Sequence, residues 1–436
     1  MLLTIIVAAF ETYAVVTIAP LVAADLDALR WYTWIFSAAL LPQVACTVFF
    51  ARMVDRRGLA QAHVAGLVLT TAGLAIAAWA PTMALLIAGR AIQGIGLGAI
   101  VNTAYASITL VLPDALHARA FSLLAGAYVV PAIVGPLITG VLADAFGWRS
   151  VFLALILAVC VIPLLTIKPL RAVRKPEVGA ALGASLWHTS GLSVGLATAT
   201  WGLSNLGKPY GIALAVVGAA LVLAMVTKTL PGVIRFRSGK PAALLARGLT
   251  MAVFVGMEAI LTYALTSRHH LSVTAVGFAI STSAVTWTAA SWLSSRWDDR
   301  SGGANRGRRV LVGATIVLVA ESAILLIPVV ESATTAFLIA ICGHAIAGFG
   351  IGMVEPTTGV IIMSTASSGS AGATAFEMQL VDLIAPALTV ALVGAAIATV
   401  GSGREGAAVE IAVSLQLLVA LISAIGASRI RQPAAS

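Results

Sequence analysis

The run GRAIQGIGLG at positions 89–98 returns 254 residues later as GHAIAGFGIG at 343–352, with six of the ten positions identical. Small residues four apart suit close helix packing, so an Ala/Gly-rich pair could match by chance. What surrounds the two copies argues for duplication. Ala120-Phe121 followed by Pro131 has its counterpart in Ala375-Phe376 followed by Pro386, each 255 residues on. One glutamate, Glu11 or Glu258, stands in the middle of the apolar stretch that would open each copy. The chain therefore reads as one unit of helices used twice.

The solvent for those helices follows from composition. Of 436 residues 60 % are apolar and 10 % charged, whereas a soluble domain carries about 25 % charged residues. So little charge cannot cover a fold of this length in water. A soluble enzyme, a secreted disulfide scaffold and a disordered chain are all excluded. The net charge of +9 sits in short clusters between apolar runs, such as Arg52, Arg56 and Arg57, which is how membrane helices are oriented and not how nucleic acid is bound. Cys46, Cys160 and Cys342 lie inside apolar runs without CxxC spacing, and read as small buried hydrophobes. The opening stretch lacks a basic n-region and contains Glu11, so it reads as a first span and not as a signal peptide.

At about 20 apolar residues per crossing, the chain holds fourteen candidate spans. They fall near 2–23, 34–52, 61–80, 83–112, 120–143 and 149–167, then 187–206 and 211–230. Six more lie near 248–267, 273–295, 310–329, 334–363, 372–399 and 408–428. With both termini in the cytoplasm, 20 of the 26 basic residues fall on the cytoplasmic side, as the positive-inside rule requires. The fold class is an all-α membrane protein. Its expected parts are a six-helix half at 1–167, linkers with two extra spans at 168–247, and a second six-helix half at 248–436. Two such halves make a rocking transporter with its site near the midplane.

Ionisable residues inside spans are functional candidates by default. These are Glu11, Arg90, Glu258, Glu321, His344, Glu355, Glu377 and Asp382. Acids outnumber the single guanidinium, so the cavity should favour cations or protons. Glu11 and Glu258 lie deep enough to load and release a proton. Arg90 and Gln93 share a helix face, and Arg90 needs an acidic partner, for which Glu11 is the expectation. His344 takes the repeat position of Arg90, with Glu355 three turns on along the same face. Asp382 should line the path, while Glu377 is near enough to the cytoplasmic edge to snorkel; Glu321 has no repeat counterpart. Pro131, Gly135, Pro136 and Gly140 predict a bend or close contact in the fifth span. At the cytoplasmic edge, Asp55, Arg56 and Gly58 are echoed by Asp298-Asp299-Arg300 with Arg308 and Arg309, and such carboxylates could cap a helix N-terminus or pair with Arg119 as a gate. There is no phosphate loop, no HExxH and no paired Cys/His set. Energy would come from a proton gradient, with no cofactor or metal.

On GRAIQGIGLG (89–98), ETYAVVTIAP (11–20), and VVPAIVGPLITG followed by FGWRSVF (129–152), the chain resembles the major facilitator superfamily, in particular the fourteen-span drug:proton antiporters. That resemblance implies proton coupling at Arg90, an antiporter motif at Gly135-Pro136, and coupling or cation binding at Glu11. The chain departs from the family's pattern at Ala51, Leu59-Ala60 and Thr139, and in having Glu11 where aspartate is commoner. The expected function is export of an amphipathic, cationic compound in exchange for protons, by a monomer in a bacterial cytoplasmic membrane, with protons, substrate and lipid as its partners. Export of a lipid or glycolipid, uptake of a solute, and a transport-inactive sensor are the alternatives.

Overall fold

The computed structural model describes residues 1–112, 127–173, 186–365, 371–400 and 405–430. Among them are fourteen long helices and no strand. In chain order these are α1 (Leu2–Asp25), α2 (Tyr32–Arg57), α3 (Leu59–Ala78), α4 (Met83–Val111), α5 (Val129–Phe146), α6 (Arg149–Ala172), α7 (Leu186–Ser204) and α8 (Gly211–Thr229). They continue as α9 (Lys240–Tyr263), α10 (Val273–Ser301), α11 (Arg306–Ile324), α12 (Ala333–Met363), α13 (Ala371–Val400) and α14 (Glu405–Ser428). Twelve helices are long and apolar enough to cross a membrane. The other two are short of that for readable reasons: α7 dilutes its apolar residues with His188, Thr189, Ser193, Thr198 and Thr200, and α11 carries Arg306, Arg308, Arg309 and Glu321. Short turns separate the helices. Gly58, at φ 88°, reverses α2 into α3 in one residue, a conformation open to glycine. Thr82, Ser272 and Ser332 cap α4, α10 and α12 by accepting from Leu85, Ala275 and Thr335 backbone N–H groups.

The duplication is visible in the packing. Contacts of α1 with α5, α2 with α4, α3 with α4 and α3 with α6 recur as α9 with α13, α10 with α12, α11 with α12 and α11 with α14. The register repeats too. Gly94 of α4 lets the backbone of Ala39 on α2 approach, and Gly348 of α12 does the same for Ser283 on α10. One turn on, Gly98 lies against Gln43 and Gly352 against Trp287. On the other flank Gly96 meets Gly66 of α3, and Gly350 meets Gly313 of α11.

The two halves meet through α5 with α10 and α2 with α13. A side chain on Gly140 would put its Cβ 2.6 Å from the Thr274 Cα, and Gly277 in turn admits the Pro136 carbonyl of α5. Asp144 then accepts from the N–H groups of Val273 and Thr274 at 3.2 and 2.9 Å and from the Thr274 hydroxyl at 2.6 Å. Across the other seam, the Tyr32 hydroxyl donates to the Ala259 carbonyl at 3.2 Å and Thr33 fits against Gly394. All these contacts lie at the end of the bundle away from Gly58, Lys240 and Arg309. The halves are closed together there. The α7–α8 hairpin packs over the α2–α13 seam, with α7 against both helices and Trp201 packed on Trp31 and Trp34. Gly140→Val would push a branched side chain into the Thr274 backbone, at about 1–3 kcal/mol against the closed end. The expected result is a rise of roughly tenfold or more in labelling of a cysteine placed at Thr33, read with a water-soluble thiol reagent in a background lacking the native cysteines.

Two expectations need correction. The ninth helix begins at Lys240 and not at 248, because Gly239, at φ 82°, ends the preceding turn and Pro241 suits a first helical turn. Arg247 is thus two turns inside a helix, not in a linker. Cys160 and Cys342 are exposed, on outward faces of α6 and α12. An apolar run does not by itself separate a lipid-facing residue from an interior one. Arg119, Ala120 and Phe121, with the start of the expected fifth span, lie outside the described residues.

Candidate functional site

Three charged clusters stand in the interior. In the first half, the spacing of α4 sets Arg90 and Gln93 on the face turned towards α1 and α2. Arg90 Nη1 donates to the Glu11 carboxylate and to Gln93 Oε1, and Arg90 Nε donates to the Ile35 carbonyl at 3.0 Å. The guanidinium is held by three acceptors on three helices. Both charged groups are buried, at 4 % and 5 % side-chain exposure. Glu11 also borders a narrow internal cavity shared with Thr4, Thr70, Leu74 and Leu97.

In the second half, His344 occupies the place of Arg90 but makes a looser arrangement. Its Nε2 is 3.7 Å from Glu258 Oε1, beyond hydrogen-bond length. Its Nδ1 is 3.4 Å from the Met257 sulfur. The ring stacks on Phe254 with centroids 5.0 Å apart. Glu258 Oε1 has no hydrogen-bond partner among the described residues.

The third cluster joins the expected Glu355 and Asp382 to Arg247, which the sequence places among the loop cations. Its Nε and Nη2 form a fork to the two Asp382 oxygens at 2.9 and 2.8 Å. Its Nη1 donates to the Glu355 main-chain carbonyl at 2.9 Å, and Nη2 also pairs with the Glu355 carboxylate. Such a planar fork suits arginine. Two carboxylates face one guanidinium, and Glu355 Oε1 has no partner among the described residues. The expectation of a single interior guanidinium is therefore corrected. His344 and Glu355 both face α9, three turns apart as expected, the first towards Glu258 and the second towards Arg247. Nearby, Glu377 pairs with Lys240.

Exposure separates the clusters. Glu258 and His344 are 4 % and 0 % exposed, as sealed as Glu11 and Arg90. Asp382 and Arg247 keep 24 % and 13 % of their side-chain surface. The third cluster is the most exposed of the three.

At the basic end, Asp55 is half-buried and Arg56 exposed, and Arg119 lies outside the described residues. Asp299 and Arg300 are exposed; the acid engaged there is Asp298. It accepts from Arg306 Nε at 2.9 Å and Arg309 Nη1 at 3.1 Å, and Arg309 also reaches the Ser294 carbonyl. Of the two adjacent carboxylates it is Asp298, not Asp299, that is tied, because α10 turns that position towards α11. A Cβ added at Gly135 would lie 3.6 Å from the Phe10 ring and from the Tyr13 Cβ on α1, while Pro136 and Gly140 belong to the closed seam. Glu321 lies in none of these clusters.

Comparison with known proteins points one way. The family model described as Major Facilitator Superfamily matches residues 1–390. A "probable multidrug-efflux transporter" of Mycobacterium tuberculosis (strain H37Rv) is 25 % identical over 432 residues, covering 94 % of this chain and 89 % of that protein. "Multidrug resistance protein 3" of Bacillus subtilis (strain 168) is 27 % identical over 152 residues, covering 35 % of this chain and 30 % of that protein. Among solved structures, a POT family transporter in complex with 5-aminolevulinic acid superposes with a TM-score of 0.70 at 15 % identity, covering 99 % of this chain and 96 % of that one. An auto-inhibited POT family peptide transporter gives 0.69 at 15 % identity, over 99 % and 97 %. At such identity these structures speak to the fold alone.

Proposed function

This chain belongs to the Major Facilitator Superfamily, a family of membrane transporters, and from that premise we propose that it exports an amphipathic cation in exchange for protons. The setting is the cytoplasmic membrane, with both termini inside and one chain as the working unit. The observation that carries this reading is the surplus of carboxylate at the most exposed cluster. Glu355 and Asp382 share one guanidinium, and Glu355 keeps an oxygen with no partner among the described residues. A cation entering from the basic end would be drawn to that site and would compete with Arg247 for Asp382. The multidrug-efflux names of the relatives agree with such a substrate.

Proton coupling rests on the sealed pairs. When the halves rock and the closed seam opens, Glu11 or Glu258 would meet the outer solution and take up a proton. Return to the present arrangement would surrender it, with Arg90 tuning the acid by re-forming its pair with Glu11. The test is substrate-induced proton movement in energised inverted vesicles, followed with a pH-sensitive dye over a panel of lipophilic cations. Wild type is expected to dequench the dye and Glu11→Gln is expected not to. Dequenching that survives Glu11→Gln would move the proton to Glu258 or Asp382. Silence over the whole panel, with folded protein, would overturn cation antiport in favour of lipid export.

A further inference from the structure

Glu321 is the one interior acid that the charged clusters leave out. Its side chain is fully buried, and neither carboxyl oxygen has a hydrogen-bond partner among the described residues. A carboxylate in that state would be an uncompensated charge inside the protein, whereas a carboxylic acid is tolerated there. The residue is not a stray on an outer face. Val310, Gly313, Ala314, Val317, Ala320 and Ile324 form the buried stripe of α11, and Glu321 belongs to it in the last turn of the helix, on the face that packs towards α9, α12 and α14.

The duplication says what it faces. Gly350 against Gly313 in the second half corresponds to Gly96 against Gly66 in the first, so α11 follows α3 with an offset of 247 residues. Glu258 follows Glu11 by the same 247. Glu321 therefore stands where the first half has Leu74, and Leu74 borders the same internal cavity as Glu11. The cluster of Val253, Val317 and Ala420 independently joins α9 to α11 one turn earlier. As α9 and α11 run parallel, Met257 and Glu321 come level at the next turn. Met257 in turn touches His344, which faces Glu258.

We propose that Glu321 is a second proton-binding site of the C-terminal half, set behind Glu258 and filled and emptied through the Glu258–His344 pair. The proton leaves the Glu321 carboxyl for a basic acceptor on that side, the His344 ring or the Glu258 carboxylate, and returns by the same route. No other charged side chain is needed in the exchange. Gln416 of α14, whose amide atoms have no partner among the described residues, is a neutral polar residue on that flank. The idea does not depend on which compound is exported, nor on export itself.

The test uses the purified full-length protein without substrate. Infrared difference spectra between acid and alkaline pH report each carboxyl through its C=O stretch. Wild type is expected to show a titrating carboxylic-acid band that vanishes in Glu321→Gln. Glu321→Leu, which installs the residue of the first half, guards against misfolding of the amide variant and should lose the same band. Glu258→Gln is expected to keep the band while slowing its exchange with deuterium at least tenfold. Spectra of both Glu321 variants identical to wild type would overturn the proposal. So would a Glu321 band that never titrates, or one whose exchange is indifferent to Glu258.

Discussion

Arg90→Met is expected to cost the protein about 3–5 kcal/mol, because it leaves the buried Glu11 carboxylate without its counter-charge. Arg90→Met together with Glu11→Gln should recover most of that stability, since neither partner is then an unpaired ion. The argument rests on the sealed geometry: Glu11 and Arg90 are 5 % and 4 % exposed, so water cannot replace the missing partner. Gln93 and the Ile35 carbonyl lose a donor in both variants, and that shared cost cancels in the comparison. The check is thermal unfolding in detergent at two pH values. Acidification should rescue part of the single variant's loss, because it lets the orphaned carboxyl take a proton, and should do little for the double variant. Transport is expected to be absent from both. A single variant as stable as wild type at neutral pH would mean that the pair does not hold the first half together.

The number of helices and the duplication were legible because both are written in long, redundant signals. Each crossing needs about 20 apolar residues, and the glycines of α4 and α12 must recur wherever α2 and α10 press on them. The contact between Arg90 and Glu11 was legible for a related reason: a guanidinium at that depth has few acceptable partners. Arg247 was not legible. It follows Lys228, Arg235, Arg237 and Lys240 in a stretch that looks like one basic loop, and only the start of α9 at Lys240 shows that the last of these cations has entered the bundle. Glu321 was visible as an interior acid, but its first-half counterpart was hidden by the duplication itself. The repeat of α4 in α12 runs at 254 residues and that of α3 in α11 at 247, so the residue matched to Glu321 appears only once the helices are seen packed. Asp298 and Asp299 are adjacent on a helix, about 100° apart, and spacing alone did not decide which one turns inward.

Arg247→Gln and Asp382→Asn should shift KM for the exported cation in opposite directions, although each breaks the same fork. If the cation and Arg247 compete for Asp382, removing the arginine removes the competitor. Arg247→Gln is then expected to lower KM for a lipophilic cation about tenfold, equivalent to about 1.4 kcal/mol. It should lower turnover as well, because the released carboxylates no longer have a resident cation to expel the substrate. Asp382→Asn takes away one of the two charges that attract the cation, and KM should rise about tenfold or more. A merely structural fork predicts something else. Arg247 would then be holding α9, α12 and α13 together through Asp382 and Glu355, and both variants would lose stability and turnover with KM moving the same way or not at all. Uptake kinetics in inverted vesicles, with expression and melting behaviour measured beside them, separate the two. Opposite shifts in KM place the exported cation at the carboxylates of α12 and α13; parallel shifts would confine Arg247 to the architecture of the second half.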